Sequence, residues 1–198
     1  MKPIAIILAA GESRRMGLVK ALLEVGPGIS FLQQLVGTFA AAGISSLVVT
    51  GAHASEIFAA HPEVPSVLNA GWARGQLSSV QVGLRAALVQ GSERILIHPV
   101  DAPLIAAATA AEVLAALDQS EAVIPTSAAL PGHPIGLTAR AARAVLNSPA
   151  TTLAEAAGLL RAQLLAVEDP AILDNLNSAE AYALRFGHAA RAGWPHSR

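Results

Sequence analysis

The residues with the clearest chemical potential lie in a glycine-bearing segment near the N-terminus, residues 8–20. Small residues there allow backbone amides to approach phosphate oxygens, and a nest of such amides binds anions. The segment begins with Leu8, Ala9, Ala10 and Gly11. Arg15 and Lys20 follow, and they would add positive charge to hold the same oxygens. The segment therefore predicts a phosphate-binding loop.

The spacing separates this loop from two common phosphate motifs. Five residues lie between Gly11 and Gly17, and no Ser or Thr follows Lys20, so the loop is neither a Walker A nor a G-x-G-x-x-G turn. A tight strand-to-helix connection with solvated charges is the alternative. The use of lysine favours the phosphate-binding interpretation of the loop, because the chain has two lysines, Lys2 and Lys20, against eleven arginines. A lysine retained in such a chain indicates a position that requires a compact ammonium.

Residues 8–20 resemble the L-A-A-G-x-S-x-R-M-G-x-x-K signature of the molybdenum-cofactor nucleotidyltransferases. The wider superfamily includes sugar-phosphate and methylerythritol-phosphate nucleotidyltransferases. Arg15 falls on the arginine of the signature and Arg14 on a variable position. The resemblance implies that the loop wraps the NTP phosphates, with Arg15 and Lys20 stabilising the charge that develops during transfer. Leu-Ala-Ala-Gly, in place of Leu-Ala-Gly-Gly, is similar to the cytidylyl branch and favours CTP over GTP.

A second candidate, Asp101, stands at the end of an apolar segment, in Val100-Asp101-Ala102-Pro103. From the residues alone, a metal ligand and a helix-capping aspartate are equal alternatives. The family carries its metal-binding aspartate in a D-x-P motif after the central strand. The resemblance therefore implies that Asp101 holds Mg²⁺ against the phosphates.

Residues 69–84 resemble the family element N-x-x-W-x-x-G-x-x-x-S-[LV]-x-x-G-L. In that family the glycine and the serine close on the base, which implies nucleotide-binding roles for Asn69, Gly75 and Ser79. The residues themselves agree, since Gly75 frees the backbone and Ser79 offers a hydroxyl near a helix start. A cap or a packed helix residue is the alternative for Ser79.

The segment Gly132-His133-Pro134 resembles the G-H-P of the cytidylyltransferase branch, on the acceptor side of the cleft. This resemblance implies that His133 contacts the acceptor. A histidine between glycine and proline in a loop is otherwise structural or exposed. The chain's other five histidines have no metal-ligand spacing, and no role is predicted for them.

Residues 174–181 resemble the N-x-N-T-P-E-D element that supplies a second metal ligand in the family. Asn175 and Asn177 take its ligand-like positions. Ser178, Ala179 and Ala181 replace a threonine, a proline and an acid. Residues 147–152 also depart from the G-D-x-G-A-R turn of the cytidylyl branch. Nucleotide binding is therefore better supported than the identity of the acceptor.

Alternating strands and helices must position these residues. Short apolar and β-branched runs predict strands at residues 3–8, 46–50, 66–68, 94–100, 122–124 and 164–168. Helical patterns with capping residues predict helices at residues 31–42, 76–90, 106–117, 138–146, 152–161 and 178–185. Residues 125–134, with three prolines, are predicted to form a loop. This alternation predicts a single-domain three-layer α/β/α sandwich around a mainly parallel, Rossmann-like sheet.

Composition narrows the class further. A chain of 198 residues suits one domain, expected at residues 1–186, with residues 187–198 as a flexible C-terminal tail. Thirteen basic and fourteen acidic residues give a net charge of -1 with no basic stripe, which argues against a nucleic-acid partner. No apolar run is long enough to span a bilayer. Cysteine is absent, which excludes disulfides and thiolate catalysis and is compatible with the predicted cytoplasmic location.

Together these features imply a Mg²⁺-dependent nucleotidyltransferase that moves CMP from CTP onto a phosphorylated acceptor. Arg15, Lys20 and Asp101 are the predicted catalytic residues. The resemblance favours molybdopterin cofactor as the acceptor, with a molybdoenzyme as client. Two alternatives stay open: a nucleotidyltransferase for a sugar or alcohol phosphate, and a nucleotide-sensing or cofactor-carrying protein without turnover.

Overall fold

Strand β1 (Ile4–Ala9) is buried along its whole length, as its unbroken aliphatic sequence predicts. The computed structural model describes residues 2–192, and β1 lies inside its main sheet. Alternate residues of β1 enter two separate hydrophobic clusters, with Ile7 in one and Ile6 in the other. The strand is therefore covered on both faces, as a three-layer sandwich requires.

The remaining strands are mostly short. In chain order they are β2 (Glu24–Gly26), β3 (Ile29–Ser30), β4 (Ser45–Thr50), β5 (Ser66–Leu68), β6 (Arg94–Pro99), β7 (Ala122–Ser127), β8 (Leu130–Pro131), β9 (Ile135–Thr138) and β10 (Gln163–Ala166). The eight-stranded main sheet has the order β10-β7-β9-β6-β1-β4-β5, with β8 attached to β7. Strands β2 and β3 pair separately as a small antiparallel ribbon.

Helices cover both faces of this sheet. They are α1 (Phe31–Ala41), α2 (Ala54–Ala60), α3 (Gln76–Val89), α4 (Ala107–Ala116), α5 (Ala139–Leu146), α6 (Leu153–Leu159) and α7 (Ala179–Phe186). Residues of α1, α2, α4 and α7 join the cluster around Ile7, whereas α3, α5 and α6 join the cluster around Ile6. The predicted α/β/α sandwich with a mainly parallel sheet is confirmed.

Capping side chains set several helix starts where the sequence predicts them. The Ser30 hydroxyl accepts a hydrogen bond from the Gln33 backbone amide, and the Gln33 side-chain oxygen accepts one from the Ser30 backbone amide. Thr152 and Glu155 form the same reciprocal pair at the start of α6. Ser178 caps α7 in a simpler way, by accepting from the Ala181 amide at 3.2 Å.

The parallel arrangement of β4, β1 and β6 determines where a site can form. β1 pairs in parallel with β4 on one side and with β6 on the other. The carboxyl ends of these three strands therefore lie at one edge of the sheet, where ligands bind in open α/β folds. The loop after β1, residues 51–53 after β4 and Asp101 after β6 all emerge there.

The structure corrects the sequence prediction at residues 125–134, which were expected to form a loop. Pro125 lies within β7, and Leu130–Pro131 forms β8. Pro125 lacks an N–H, but its carbonyl accepts from the Gly132 amide at 2.8 Å, so it still takes part in backbone pairing. Strand β9 was not predicted, because residues 135–137 were assigned to no helix or strand, and it lies antiparallel between β6 and β7. Thr138, expected to be the first residue of a helix, ends this strand and caps α5. Strands β2 and β3 and helix α2 were not predicted either.

The C-terminal part of the described chain packs against the β2–β3 ribbon. The Tyr182 hydroxyl donates to the Glu24 carbonyl at 2.6 Å, and the Glu24 amide donates to the Arg191 carbonyl at 2.9 Å. Gly187 ends α7 in a left-handed conformation. Residues 193–198 of the predicted tail lie outside the described residues, so the flexibility of the tail stays a prediction. No helix within residues 2–192 has both the length and the apolar character needed to cross a membrane.

Gly83 offers a test of the packing between α3 and the sheet. A Cβ at this position would lie 2.5 Å from Ile6 Cγ2 and 3.0 Å from Val49 Cγ2. We expect Gly83→Ala to lower the free energy of unfolding by about 1–3 kcal/mol, as overpacking in a core does, and urea unfolding measures this. Gly37→Ala, at an open position of α1, is the matched control and should be neutral or stabilising. Equal losses in the two variants would contradict the assignment.

Candidate active site

A cavity of about 480 Å³ opens at the carboxyl ends of β1 and β6. The loop after β1, the start of α3 and residues 99–101 form its walls. The predicted site residues that line it are Leu8, Ala9, Ala10, Gly11, Lys20, Gly75, Ser79 and Asp101. Three sequence segments that are distant in the chain therefore meet around one space, which is large enough for a nucleotide.

Local hydrogen bonds fold the loop after β1 around Ser13. The Ser13 carbonyl accepts from the amides of Met16 at 3.0 Å and Gly17 at 3.1 Å, and Gly17 has a φ of +71° that suits glycine. The buried Met16 side chain anchors the turn in the core. The Ser13 hydroxyl accepts from the Lys20 amide at 3.3 Å, so the turn also determines where Lys20 begins the 3₁₀ turn Lys20–Leu22.

Lys20 contacts two other predicted site residues, and one of these contacts a third. Its Nζ donates to Asp101 Oδ2 at 2.9 Å and also to Asn177 Oδ1. The Asn177 amide in turn donates to Asn175 Oδ1. The Lys20 and Asp101 side chains are each 17% exposed, so this ion pair is shielded on most sides but open to the cavity. The structure thus brings together the loop lysine, the strand-end aspartate and both asparagines.

The oxygen atoms of this cluster fit Mg²⁺. Magnesium prefers oxygen ligands and usually keeps water and substrate phosphates in its coordination shell. Asp101 supplies a carboxylate, and Asn175 and Asn177 supply amide oxygens. Among the described residues, no group of three His, Cys, Asp or Glu side chains could hold a metal. The three oxygen-bearing side chains fit a metal that takes its other ligands from nucleotide phosphates and water.

The second wall of the cavity is built around Asn69, which is buried. Its amide donates to the hydroxyls of Ser78 at 2.9 Å and Ser79 at 3.0 Å, and its Oδ1 accepts from the Gly71 amide at 3.0 Å. Gly75, with a φ of +100°, precedes α3 in a conformation that other residues rarely adopt. Asn69 is not among the residues that line the cavity, and its side chain reaches the wall through Ser78 and Ser79, so its predicted role toward a nucleotide would be to position them.

The two arginines of the loop lie in different surroundings. Arg15 lines an adjoining cleft of about 240 Å³, together with Lys20 and Asn177. Arg14 lines both this cleft and the main cavity, and its Nε contacts Glu12 Oε2 at 2.6 Å. The catalytic role of Arg15 stays a prediction. It would require phosphate oxygens that extend past Lys20 into the cleft.

A third space, of about 360 Å³, lies on the other side of Asp101. His133, Asn175 and Asn177 line it, and it shares Asp101, Gln76 and Pro99 with the main cavity. The His133 amide donates to the Ile172 carbonyl at 3.1 Å. Burial lowers the pKa of His133, although the Asp101 carboxylate partly offsets this effect. His133 therefore faces this space as a neutral imidazole at neutral pH.

Gly132 shows why this segment is held closely. A Cβ at position 132 would lie 2.5 Å from the Ile172 carbonyl oxygen. Ile172 belongs to the 3₁₀ turn Pro170–Leu173, which Asp169 begins. Asp169 accepts from the Ala106 amide at 2.9 Å and from the Thr109 hydroxyl at 2.7 Å. These contacts fasten one wall of the third space to the start of α4.

His98 is a buried residue next to Ala102 and His133, and sequence analysis assigned it no role. Its Nε2 lies 2.8 Å from the Ala102 carbonyl oxygen, and its ring meets the His133 ring edge-on at a centroid distance of 6.1 Å. Complete burial lowers the pKa of His98 to about 3. The signal in the sequence is a single polar residue within the aliphatic run of β6.

Gly51 is another residue that sequence analysis missed. A Cβ there would lie 2.4 Å from the Ala10 carbonyl oxygen, and the Ala52 amide donates to that same oxygen at 3.0 Å. Gly51 directly follows β4 just as Ala10 follows β1, and a glycine at a strand end is the signal that could identify it. Asp169 carries no comparable local signal, because its partner Ala106 is 63 positions away.

The fold and this site together define a nucleotidyltransferase. The profile of the MobA-like NTP transferase domain family matches residues 5–167. The chain therefore belongs to this family, and the family resemblance noted in the sequence is confirmed. Among curated proteins, no match reaches significance.

Several solved structures have a similar fold. The Rv0371c protein of Mycobacterium tuberculosis is 21% identical with a TM-score of 0.80, over 96% of this chain and 100% of that one. A Methanothermobacter nucleotidyl transferase is 24% identical with a TM-score of 0.79, over 94% of this chain and 97% of that one. A manganese complex of Rv0371c, at 19% identity, has a TM-score of 0.71 over 96% of this chain and 100% of that one.

The buried His98 predicts a specific response to acid. An unfolded histidine has a pKa of about 6.5, whereas the folded value is about 3. At pH values between these two, the unfolded state binds up to one more proton than the folded state. The free energy of unfolding therefore decreases as the pH is lowered, by at most about 1.4 kcal/mol per pH unit. We expect His98→Gln to remove this part of the acid sensitivity. Urea unfolding near neutrality and at about pH 5 measures the difference.

Gly37→Ala, which changes no titratable group, is the control and should show the acid sensitivity of the wild type. Equal acid sensitivity in the wild type and His98→Gln would show that His98 is not held neutral by the fold.

Proposed function

We propose that this protein is a Mg²⁺-dependent nucleotidyltransferase that transfers CMP from CTP to a phosphorylated acceptor and releases pyrophosphate. The observation that carries the proposal is the contact of Lys20 with Asp101 and Asn177, at the junction of two cavities. A cation-binding cluster between two binding spaces is the arrangement needed when two anionic substrates must react.

Each of the two cavities is assigned to one substrate. The 480 Å³ cavity contains the phosphate-type loop and the Gly75–Ser79 wall, so it is assigned to the NTP. The 360 Å³ cavity contains His133 and is assigned to the acceptor. Asp101 lines both, which supports placing the reacting α-phosphorus beside it. Holding two substrates at such a junction accelerates their reaction by orientation alone.

The chemistry requires no nucleophilic side chain. An oxygen of the acceptor phosphate forms a bond to the α-phosphorus of CTP. The bond from that phosphorus to the bridging oxygen breaks, and its electron pair leaves with pyrophosphate. Negative charge develops on the phosphate oxygens, and Lys20, Arg15 and the backbone amides at Ala10 and Gly11 would stabilise it. The protein's contribution is therefore position and charge.

Lys20 would change partners during binding. Mg²⁺ would neutralise phosphate charge when held by Asp101 with Asn175 or Asn177. An ammonium group and a divalent cation repel each other at the same oxygens, so Lys20 would move from Asp101 and Asn177 toward the triphosphate. The manganese complex of Rv0371c concerns a protein of the same fold and makes a divalent cation reasonable here.

CTP is favoured by the Leu-Ala-Ala-Gly sequence at the start of the loop, and molybdopterin cofactor by the Gly132-His133-Pro134 segment. A molybdoenzyme would then be the client. A sugar or alcohol phosphate is the alternative acceptor, and the changed residues 147–152 keep it open. A nucleotide-sensing protein without turnover is the alternative of another class, and the side-chain changes at residues 178–181 favour it. The Lys20–Asp101–Asn177 cluster opposes that alternative.

Pyrophosphate release tests this proposal directly. Each of the four NTPs is combined with reduced molybdenum cofactor, a sugar 1-phosphate or methylerythritol phosphate in the presence of Mg²⁺. We expect release with CTP and molybdenum cofactor.

Lys20→Ala and Asp101→Asn should each reduce turnover by on the order of a hundredfold, because each removes a contact to the developing charge. Lys2→Ala and Asp118→Asn are matched controls that should retain activity.

The outcomes separate the alternatives. Release with GTP alone would contradict the cytidylyl assignment, and release only with a sugar phosphate would assign the alternative acceptor. A melting temperature raised by CTP without any pyrophosphate release would favour the nucleotide-sensing protein. Full activity in Lys20→Ala or Asp101→Asn would contradict the role of that residue.

His133 provides a separate test of the acceptor cavity. We expect His133→Ala to raise the KM for the acceptor by on the order of tenfold, the effect of losing one hydrogen bond to a ligand. The affinity for CTP should remain, because His133 lines only the 360 Å³ cavity among the three spaces described. His188→Ala is the control. Loss of CTP affinity instead would place His133 in the nucleotide half of the site.

A further inference from the structure

His98 interrupts a row of apolar side chains on one face of β6 and the residue that follows it. Its neighbours in this row, Leu96 and Val100, belong to the hydrophobic cluster around Ile7. The His98 side chain is fully buried, and the Phe39 ring packs edge-on against it at a centroid distance of 5.7 Å. An aliphatic residue would fill such a position at lower cost, since a buried imidazole must find hydrogen-bond partners.

The hydrogen bond of His98 determines its tautomer. The Ala102 carbonyl oxygen can only accept, so Nε2 carries the proton and donates across 2.8 Å. The Nδ1 atom then carries the lone pair, and it has no hydrogen-bond partner within the described residues. One ring nitrogen of His98 therefore has no hydrogen bond in the described part of the chain, and the other bonds a single carbonyl in the loop.

That carbonyl belongs to the loop that carries Asp101. The Asp101 carbonyl accepts from the Leu176 amide at 2.9 Å, and the Ala102 carbonyl accepts from His98. Two consecutive carbonyl groups are thus each held by a hydrogen bond. One bond joins the loop to the asparagine segment, and the other joins it to β6.

The ring of His98 also supports the acceptor cavity. It contacts the His133 ring in an edge-on arrangement with an interplanar angle of 87°. His133 is otherwise held through its backbone, by the bond from its amide to the Ile172 carbonyl. Its Nδ1 has no partner within the described residues. The orientation of the His133 side chain therefore depends on packing, and His98 provides part of that packing.

We propose that His98 is a positioning residue that holds the Asp101 loop and the His133 ring in a fixed relation to each other. It touches no substrate in this scheme and acts through Ala102 and His133. The functional meaning of the proposal rests on the proposed nucleotidyl transfer. The mechanical part, a loop fastened by the Nε2–H donor, stands on the geometry alone.

Two substitutions separate the donor from the ring. His98→Phe keeps an aromatic ring in the core but removes the donor, whereas His98→Gln keeps a donor of similar reach. We expect His98→Phe to lower kcat by on the order of ten- to a hundredfold, because small displacements of catalytic groups have effects of this size. The KM for CTP should change little, and the Mn²⁺ affinity of the CTP-analogue complex should fall. His98→Gln should restore most of both quantities.

His61 provides the matched control. It is also a buried histidine with one hydrogen bond, at 3.0 Å to the Ser30 hydroxyl, and it lines none of the three cavities described. His61→Phe should therefore lower the melting temperature in a similar way while kcat and Mn²⁺ affinity remain. This contrast distinguishes positioning from a general loss of stability.

Hydrogen exchange at the Leu176 amide reads the loop without any activity. Because this amide donates to the Asp101 carbonyl, loosening the loop should speed its exchange in His98→Phe but not in His98→Gln or His61→Phe. Absence of turnover in the wild type would overturn the proposed function while exchange still decides the mechanical claim. Unchanged exchange together with unchanged kcat and Mn²⁺ affinity in His98→Phe would overturn the positioning role.

If His98→Phe does not fold, His98→Asn replaces it. The shorter amide of Asn does not reach the Ala102 carbonyl. His98→Asn should therefore show the lower kcat and faster exchange expected of His98→Phe, whereas His98→Gln should resemble the wild type. Equal exchange and equal kcat in the Asn and Gln variants would show that the hydrogen bond is not the cause.

Discussion

The contact between Lys20 and Asp101 is the interaction on which the architecture of the site depends. The two residues are 81 positions apart in the chain, yet their charged atoms lie 2.9 Å apart. They meet because β1 and β6 are parallel neighbours, so the loop after one strand faces the residue after the other. The ion pair is partly shielded from solvent, where opposite charges attract more strongly than in bulk water. Both cavities are arranged around it.

The sequence predicts most of the framework because the relevant signals are local. The aliphatic run of β1 and the capping boxes at Ser30 and Thr152 need no knowledge of the rest of the chain. The antiparallel β9 could not be predicted in this way. It is four residues long and follows a proline-rich segment, and it becomes a strand because the gap between β6 and β7 provides partners on both sides. Tertiary pairing here overrides a weak local pattern.

The same distinction applies to the site. The loop residues and Asp101 are found from the sequence because they lie in contiguous motifs at strand ends. Gly51, His98 and Asp169 act through contacts with distant segments, so their positions have no motif around them. His98 comes closest to being predictable, since a polar residue in a buried strand requires a hydrogen-bond partner. The identity of that partner, however, emerges only from the folded loop.

The C-terminal segment explains why an altered motif is still compatible with a working site. Ser178 replaces the threonine of the family pattern, but it retains the hydroxyl that caps α7. Ala179 and Ala181, in place of a proline and an acid, lie within the first turn of that helix. Before this helix, the Leu176 amide donates to the Asp101 carbonyl, and Asn177 contacts Lys20. The substituted positions thus belong to the start of a helix, whereas Asn175 and Asn177 precede it and lie in the cluster with Lys20. This arrangement favours an enzyme over a protein that has kept the fold and lost turnover.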